Sequence, residues 1–181
     1  SAEAYRLNIE KNRIKIEAGD IQGVNHGLAS LLQLIMTAKD AQLPVLTIQD
    51  KPAFGYRGLM LDCARHFWTV DELKETLDHM AFFKLNTLHM HLTDNQAWRL
   101  SMDKYPDLVK EGTYYYDFPE LSGKYYSKED LKEIVTYAGT RGIEIIPEVD
   151  LPGHSIALLA ALPELSCRGG KFEATPEERD W

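Results

Sequence analysis

Three clusters of polar residues, each at the end of an apolar run, carry the side chains of this chain that can do chemistry. The first is Asp62, Arg65 and His66. An acid, an arginine and a histidine this close together can grip a polar ligand, because arginine's planar fork suits vicinal hydroxyls or a carboxylate. The same residues can equally form an ion pair that holds the end of a strand. The second cluster is His89-Met90-His91, with Asp94 just beyond. Residues two apart on a strand point the same way, so both imidazoles share a face. Metal-dependent hydrolases present ligands in this way, and so do hydrogen-bonded core histidines. Asp94 can ligate a metal or orient a histidine. In the third, Glu148 and Asp150 at strand spacing precede a Pro152-Gly153 turn that aims His154 from a helix start.

These clusters need elements to position them. Tyr5, Leu7 and Ile9 alternate with polar residues, as do Ile14, Ile16 and Ala18, predicting a hairpin that turns at Lys11-Asn12. Val24, Leu28, Leu31, Leu32 and Ile35 recur at helical spacing, and a short strand follows at Val45–Ile48. Residues 1–50 thus read as a small α+β unit with a thin core. From Tyr56 the pattern becomes strand, helix, strand. Arg57–Asp62 reads as a buried parallel strand. Thr69 and Glu72 predict a capping box for a helix with Leu73, Leu77 and Met80 inward. Asn86–Leu92 is the next strand, and residues 93–126 a long polar and aromatic connection. Ser127 and Asp130 cap a helix with Leu131, Ile134, Val135 and Ala138 inward, stopped by Arg141-Gly142. Ile143–Pro147 is a third strand, and a helix runs from near His154 to before Pro163.

Successive βα units mean a parallel sheet with helices outside it. No glycine-rich turn follows the first strand, which weakens a nucleotide-binding sheet. Chemistry at the carboxyl end of every strand favours a (β/α)8 barrel.

Composition narrows the function. Of the 181 residues, 44% are hydrophobic and 27% charged, an ordinary globular balance. A net charge of −8 argues against nucleic acid or an anionic membrane as partner, and a neutral substrate fits best. No apolar stretch is long enough for a membrane helix, and no signal peptide is visible. Cys63 and Cys167 fit no zinc or redox spacing; they are either a disulfide or two free thiols, and free, partly buried thiols are the expectation. Trp68, Trp98 and the tyrosines near 114–126 suit sugar faces or packing.

The three clusters also carry a resemblance. RGLMLDCARHF (57–67), KLNTLHMHLTDNQAWRL (84–100) and IIPEVDLPGH (145–154) closely resemble, in order and spacing, the first barrel-strand signatures of family 20 glycoside hydrolases. Residues 1–50 resemble the end of the small α+β domain that precedes that barrel, so the likeness covers nearly the whole chain. It implies an α/β fold: the first part of a (β/α)8 TIM barrel at 51–181, after the C-terminal part of the small domain at 1–50.

The resemblance also implies a retaining exo-β-N-acetylhexosaminidase acting on N-acetylhexosamine-terminated glycans, with no cofactor and no metal. Arg65 matches the arginine that bonds hydroxyls of the terminal sugar. Asp94 and His154 match a pair that supports the general acid, while Asp62 and Asp150 match strand-end acids that support their neighbours. Met90, Asn95 and Ala97 stand where the family commonly has Trp, Asp and Gly. Reaction in this family is substrate-assisted, the sugar's own 2-acetamido oxygen attacking the anomeric carbon. The Asp-Glu pair that orients this group and protonates the leaving oxygen follows the family's fourth strand. This chain is expected to stop short of it and to be inactive alone. It is also expected to self-associate or pair with the rest of the barrel, with the charged stretch after Cys167 loosely held. A secreted, periplasmic or lysosome-like location is implied. Two rivals remain: a metal-dependent hydrolase using His89, His91 and His154, and a silent carbohydrate-binding module.

Overall fold

A computed structural model describes residues 2–115, 117 and 119–175 of the chain. They fall into two compact units, one of Ser1–Leu59, Lys74–Leu88 and Thr136–Glu144, the other of Met60–Leu73, His89–Val135 and Ile145–Trp181. No described helix is long and apolar enough to cross a membrane. The stretch after Cys167, expected to be loosely held, has no helix or strand over 168–175, yet Ala174 and Thr175 are buried, Ala174 in a core cluster; residues 176–181 lie outside the described residues.

In the first unit, β1 (Tyr5–Glu10) and β2 (Arg13–Ala18) form the expected hairpin, with Glu10 opposite Arg13 across Lys11-Asn12. β3 (Leu46–Asp50) pairs antiparallel with the other edge of β1, giving the order β2-β1-β3. Tyr5, Leu7 and Ile9 on the central strand are all buried, which the alternation predicted. Helix α1 (Ile21–Thr37) starts at Asp20, whose side chain accepts the Gly23 N–H at 2.7 Å.

The face that α1 buries differs from the expected one. Gly23, His26, Gly27, Ala29 and Ser30 are buried, whereas Leu28, Leu32 and Ile35 are each about half exposed. The reason is close approach: a Cβ on Gly23 would lie 2.5 Å from the Ala4 carbonyl oxygen, and one on Gly27 2.7 Å from Ile16 Cγ2. Small residues therefore form the contact line, and Leu31 and Leu34 reach the strand core beside it.

A second sheet contains β4 (Gly58–Asp62), β5 (Thr87–His91) and β6 (Glu144–Glu148) in the order β4-β5-β6. The Asn86 N–H meets the Arg57 carbonyl and the Glu144 N–H the Asn86 carbonyl at one end of the strands. At the other, the Cys63 N–H meets His91 and the Leu92 N–H meets Glu148, so the strands run parallel. Helix α2 (Val70–Phe82) follows β4 and α4 (Lys128–Thr140) precedes β6. Both capping boxes form: Glu72 accepts the Thr69 N–H at 2.7 Å, and Asp130 accepts that of Ser127 at 2.8 Å. Leu73, Leu77 and Met80 are buried as expected, and so are Ile134 and Ala138. Val135 is not, at 55% exposure, because one residue is a 100° step round the helix from Ile134.

Of these three strands β5 is the buried one, with only His89 partly open. Leu59 and Met60 on β4 and Ile146 on β6 stand exposed, correcting the expectation of a buried first strand. Among the described residues, β4 and β6 each have a neighbouring strand on one side only.

The long connection is also more than a polar loop. It holds a short helix α3 (Asp107–Glu111), and Trp98, Leu108 and Tyr115 build a core with Ala157 of α5 (Ile156–Ala161) and with Ala174. Trp98 is therefore packing, not a sugar platform. Cys63 is buried and Cys167 exposed, both free.

Candidate active site

The second unit brings the three clusters together at the carboxyl ends of β4, β5 and β6. After β4 the chain turns at once. The Asp62 carboxylate accepts the N–H groups of Ala64 and Arg65 at 3.1 and 3.0 Å and the Arg65 Nη1 at 2.8 Å. Burial works to raise the Asp62 carboxyl, but the Arg65 side chain and backbone bonds outweigh it and hold it below its usual range. Trp68 donates from Nε1 to the Asp62 carbonyl at 3.0 Å and stacks edge-on to His66.

After β5 the chain makes a small hairpin, in which Thr93 bridges to Trp98 and the Asp94 N–H reaches the Ala97 carbonyl. Asp94 sits at its tip with a side chain only 1% exposed. Its Oδ2 accepts Arg65 Nη2 at 2.7 Å and faces His91 Nε2 at 2.8 Å. Its Oδ1 accepts the Asn95 N–H at 2.6 Å and faces His154 Nδ1 at 3.0 Å. One buried carboxylate thus meets groups from all three strand ends. Burying a charge costs free energy unless it is paired and hydrogen-bonded, and here both oxygens are.

Glu148 performs a parallel task at the end of β6. Its Oε1 lies 2.5 Å from His91 Nδ1, and its Oε2 pairs with His89 Nε2. Both imidazoles of β5 therefore face one carboxylate, as strand geometry required. Burial alone would lower the His91 pKa, but the bonds to Glu148 and Asp94 raise it; the His91 bond in turn lowers that of Glu148. The Asp150 N–H donates to Thr93 Oγ1 at 3.0 Å, which ties the β6 exit to the hairpin. His154 has a left-handed backbone, φ 53°, a conformation that non-glycine residues adopt seldom and often at functional positions. Its side chain is half exposed, as is that of Arg65 at 40%. The buried partner is Asp94; the faces open to a ligand are Arg65 and His154.

A family model for the catalytic domain of glycosyl hydrolase family 20 matches residues 54–181, and one for that family's domain 2 matches residues 1–51. The chain belongs to glycosyl hydrolase family 20. A β-hexosaminidase of Vibrio furnissii is 41% identical over 172 residues, which are 89% of this chain and 28% of that protein. Flavobacterium johnsoniae chitobiase, 43% identical, superposes with a TM-score of 0.82 over 90% of this chain and 24% of its own. An exo-β-N-acetylglucosaminidase of Vibrio harveyi, solved with N-acetylglucosamine, is 36% identical with a TM-score of 0.84, over 97% and 31%. The chain spans about a quarter of the length of the curated relatives it matches.

This family 20 chain does not gather the three histidines of the metal reading. Among the described residues only His91, Glu148 and Asp150 bring ligand atoms within 4.8 Å of one another, and both His91 nitrogens already face carboxylates. The departures from the family pattern find uses. Met90 and Ala97 are fully buried, and Asn95 Oδ1 accepts the Ile156 N–H at the start of α5. Sequence reasoning missed two residues here. Glu148 stood out only as a strand-end acid, with no sign that it holds both histidines. Arg99 gave no sign, since a lone arginine after a tryptophan reads as surface; it is 3% exposed.

Proposed function

We propose that this chain forms the sugar-gripping front of an exo-acting, retaining β-N-acetylhexosaminidase that cleaves terminal N-acetylglucosamine or N-acetylgalactosamine from glycans. The observation that carries this reading is the buried Asp94 carboxylate, shared by Arg65, His91 and His154 at adjacent strand ends. Arg65 presents a partly open, charge-fixed fork to vicinal hydroxyls of the terminal sugar. With Nδ1 donating to Asp94, His154 keeps Nε2 for a neighbouring acid. That acid protonates the leaving oxygen in one step and is ionised in the next, so a neighbour that adjusts its proton affinity speeds both. Asp62 and Asp150 fix the two exits from the sheet. The nucleophile is the substrate's own acetamido oxygen, with retention.

In this reading 1–50 is the tail of a small α+β domain and 51–181 the front of a (β/α)8 barrel; the break between the two family matches, at 51 and 54, supports the boundary. Exposed Leu59, Met60 and Ile146 support a sheet that continues in further strands. The same exposure leads the isolated chain to self-associate, which sedimentation at micromolar concentration reads directly. By family likeness the enzyme acts in a secreted, periplasmic or lysosome-like compartment.

The test compares nitrophenyl N-acetyl-β-glucosaminide with the matching β-glucoside on the full-length enzyme. Only the acetamido sugar is cleaved if the substrate supplies the nucleophile. Comparable cleavage of both would overturn the reading.

A further inference from the structure

Arg99 is a buried cation that faces no carboxylate among the described residues. Its Nε donates to the Cys63 carbonyl at 3.1 Å, its Nη2 to the Ala64 carbonyl at 2.8 Å and its Nη1 to the Lys124 carbonyl at 2.6 Å. The Phe67 ring lies 5.4 Å from the guanidinium carbon. Burial lowers the proton affinity of the group, so the site works against the charge it contains. A lysine could satisfy these separate acceptors only in part, because the directions belong to a rigid fork.

The acceptors locate the purpose. Cys63 and Ala64 are the two residues between Asp62 and Arg65, and their N–H groups both donate to the His91 carbonyl, at 2.9 and 3.1 Å. The two residues are thus held by β5 through their N–H groups and by Arg99 through their carbonyls. The backbone of Arg99 meanwhile belongs to the hairpin that carries Asp94: its N–H donates to the Leu92 carbonyl at 2.9 Å, closing the arms on either side of the tip. One side chain therefore joins the turn that presents Arg65 to the hairpin that presents Asp94.

We infer that Arg99 is a positioning residue that fixes the Arg65 guanidinium against Asp94, and through it the grip on the terminal sugar. This rests on the proposed function only in taking Arg65 as the sugar-binding arginine. A double-mutant cycle on the full-length enzyme tests it, with Arg99→Lys and Arg65→Ala singly and together. With Arg65 present, Arg99→Lys lowers kcat/KM about tenfold or more, as the loss of charged hydrogen bonds at a binding residue's mount would. On the Arg65→Ala background the same change costs less than about twofold, because the group being positioned is gone. An equal cost on both backgrounds, with Arg65→Ala itself impaired, overturns the inference and leaves the proposed function standing. An Arg65→Ala enzyme with wild-type kcat/KM overturns the inference together with the sugar-binding role of Arg65, and leaves the hydrolysis itself standing.

Amide exchange supplies an arbiter that needs no variant. In the wild-type enzyme the Cys63 and Ala64 amides exchange as slowly as those of β5, and fast exchange at these positions overturns the inference even should Arg99→Lys fail to fold. Where Arg99→Lys does fold, it loses protection at residues 63–65 while β5 keeps its own.

Discussion

Two of the charge networks among the described residues, one in each compact unit, are built to different rules. In the first unit Lys84 Nζ reaches Asp50 and the Tyr5 hydroxyl, each at 3.0 Å, while Arg57 pairs with Glu3, which lies 3.7 Å from His26. Each carboxylate there has few partners and serves as a staple between segments. In the second unit a single carboxylate, 1% exposed, accepts from the Arg65 guanidinium and faces a histidine from each oxygen, while its partners Arg65 and His154 stay open. A staple hides its partners or leaves the whole pair wet. A site buries the hub and exposes the spokes. That difference, more than the number of charges, separates a structural network from a functional one.

Several substitutions would break or sharpen this contrast, and all belong in the full-length enzyme. Asp94→Asn removes the hub's charge and turns one of its two acceptor oxygens into a donor, so Arg65 and His154 no longer share an anionic acceptor. A loss in kcat of about 10²-fold or more is expected, in the range that general acid–base help supplies, and steady-state kinetics on a nitrophenyl N-acetylglucosaminide measures it. Arg65→Ala removes one spoke. At about 1.5–3 kcal/mol per charged hydrogen bond, kcat/KM should fall by roughly 10- to 100-fold. A value within about threefold of wild type would show that Arg65 does not bind the sugar.

A third prediction concerns pH. His91 has its pKa raised from 6.5 by Glu148 and Asp94, against burial, so its stabilising share is complete below 6.5 and fades as pH rises through the raised value. Glu148 has its pKa lowered from 4.5 chiefly by His91, so its share is complete above 4.5 and fades as pH falls through the lowered value. The clamp is therefore strongest between these limits. A melting profile across pH should show a maximum there, and Glu148→Gln should flatten both flanks.

Asp50→Asn, in the first unit, probes a staple. The pair is partly exposed, and such pairs contribute about 0–1 kcal/mol. Melting should shift by a few degrees at most and kcat/KM by less than about twofold. A kinetic loss comparable to that of Arg65→Ala would erase the distinction between the networks. The smallest effect is expected from chelation: activity should be unchanged by a strong chelator, and elemental analysis should find no stoichiometric zinc, because the His91 nitrogens already face Glu148 and Asp94.

Much of this was legible in the sequence. The hairpin at Lys11-Asn12, the capping boxes at Thr69 and Ser127 and the stop at Gly142, with φ +71°, are all as read. The failures share a cause. Leu28 and Leu32 looked like a core face because periodicity counts apolar residues and is blind to glycines that allow a helix to sit closer. Residues 93–126 read as a polar and aromatic connection with no core of its own, because Trp98, Leu108 and Tyr115 have no regular spacing and pack together with Ala157 of α5 and Ala174.

By itself the sequence determined what depends on a few neighbouring residues: which segments are strands or helices, where they are capped, and which polar groups stand at the strand ends. Those properties follow from backbone periodicity and local hydrogen bonds, which act within one or two turns. Tertiary structure decided who meets whom. His154 reaches Asp94 across 60 residues and His91 reaches Glu148 across 57, and no local rule encodes either distance. It also decided that Arg99, rather than a surface charge, is the buried link between the Arg65 turn and the Asp94 hairpin. A guanidinium goes wherever its acceptors are, and these acceptors are backbone carbonyls, which every residue has and no side-chain pattern reveals.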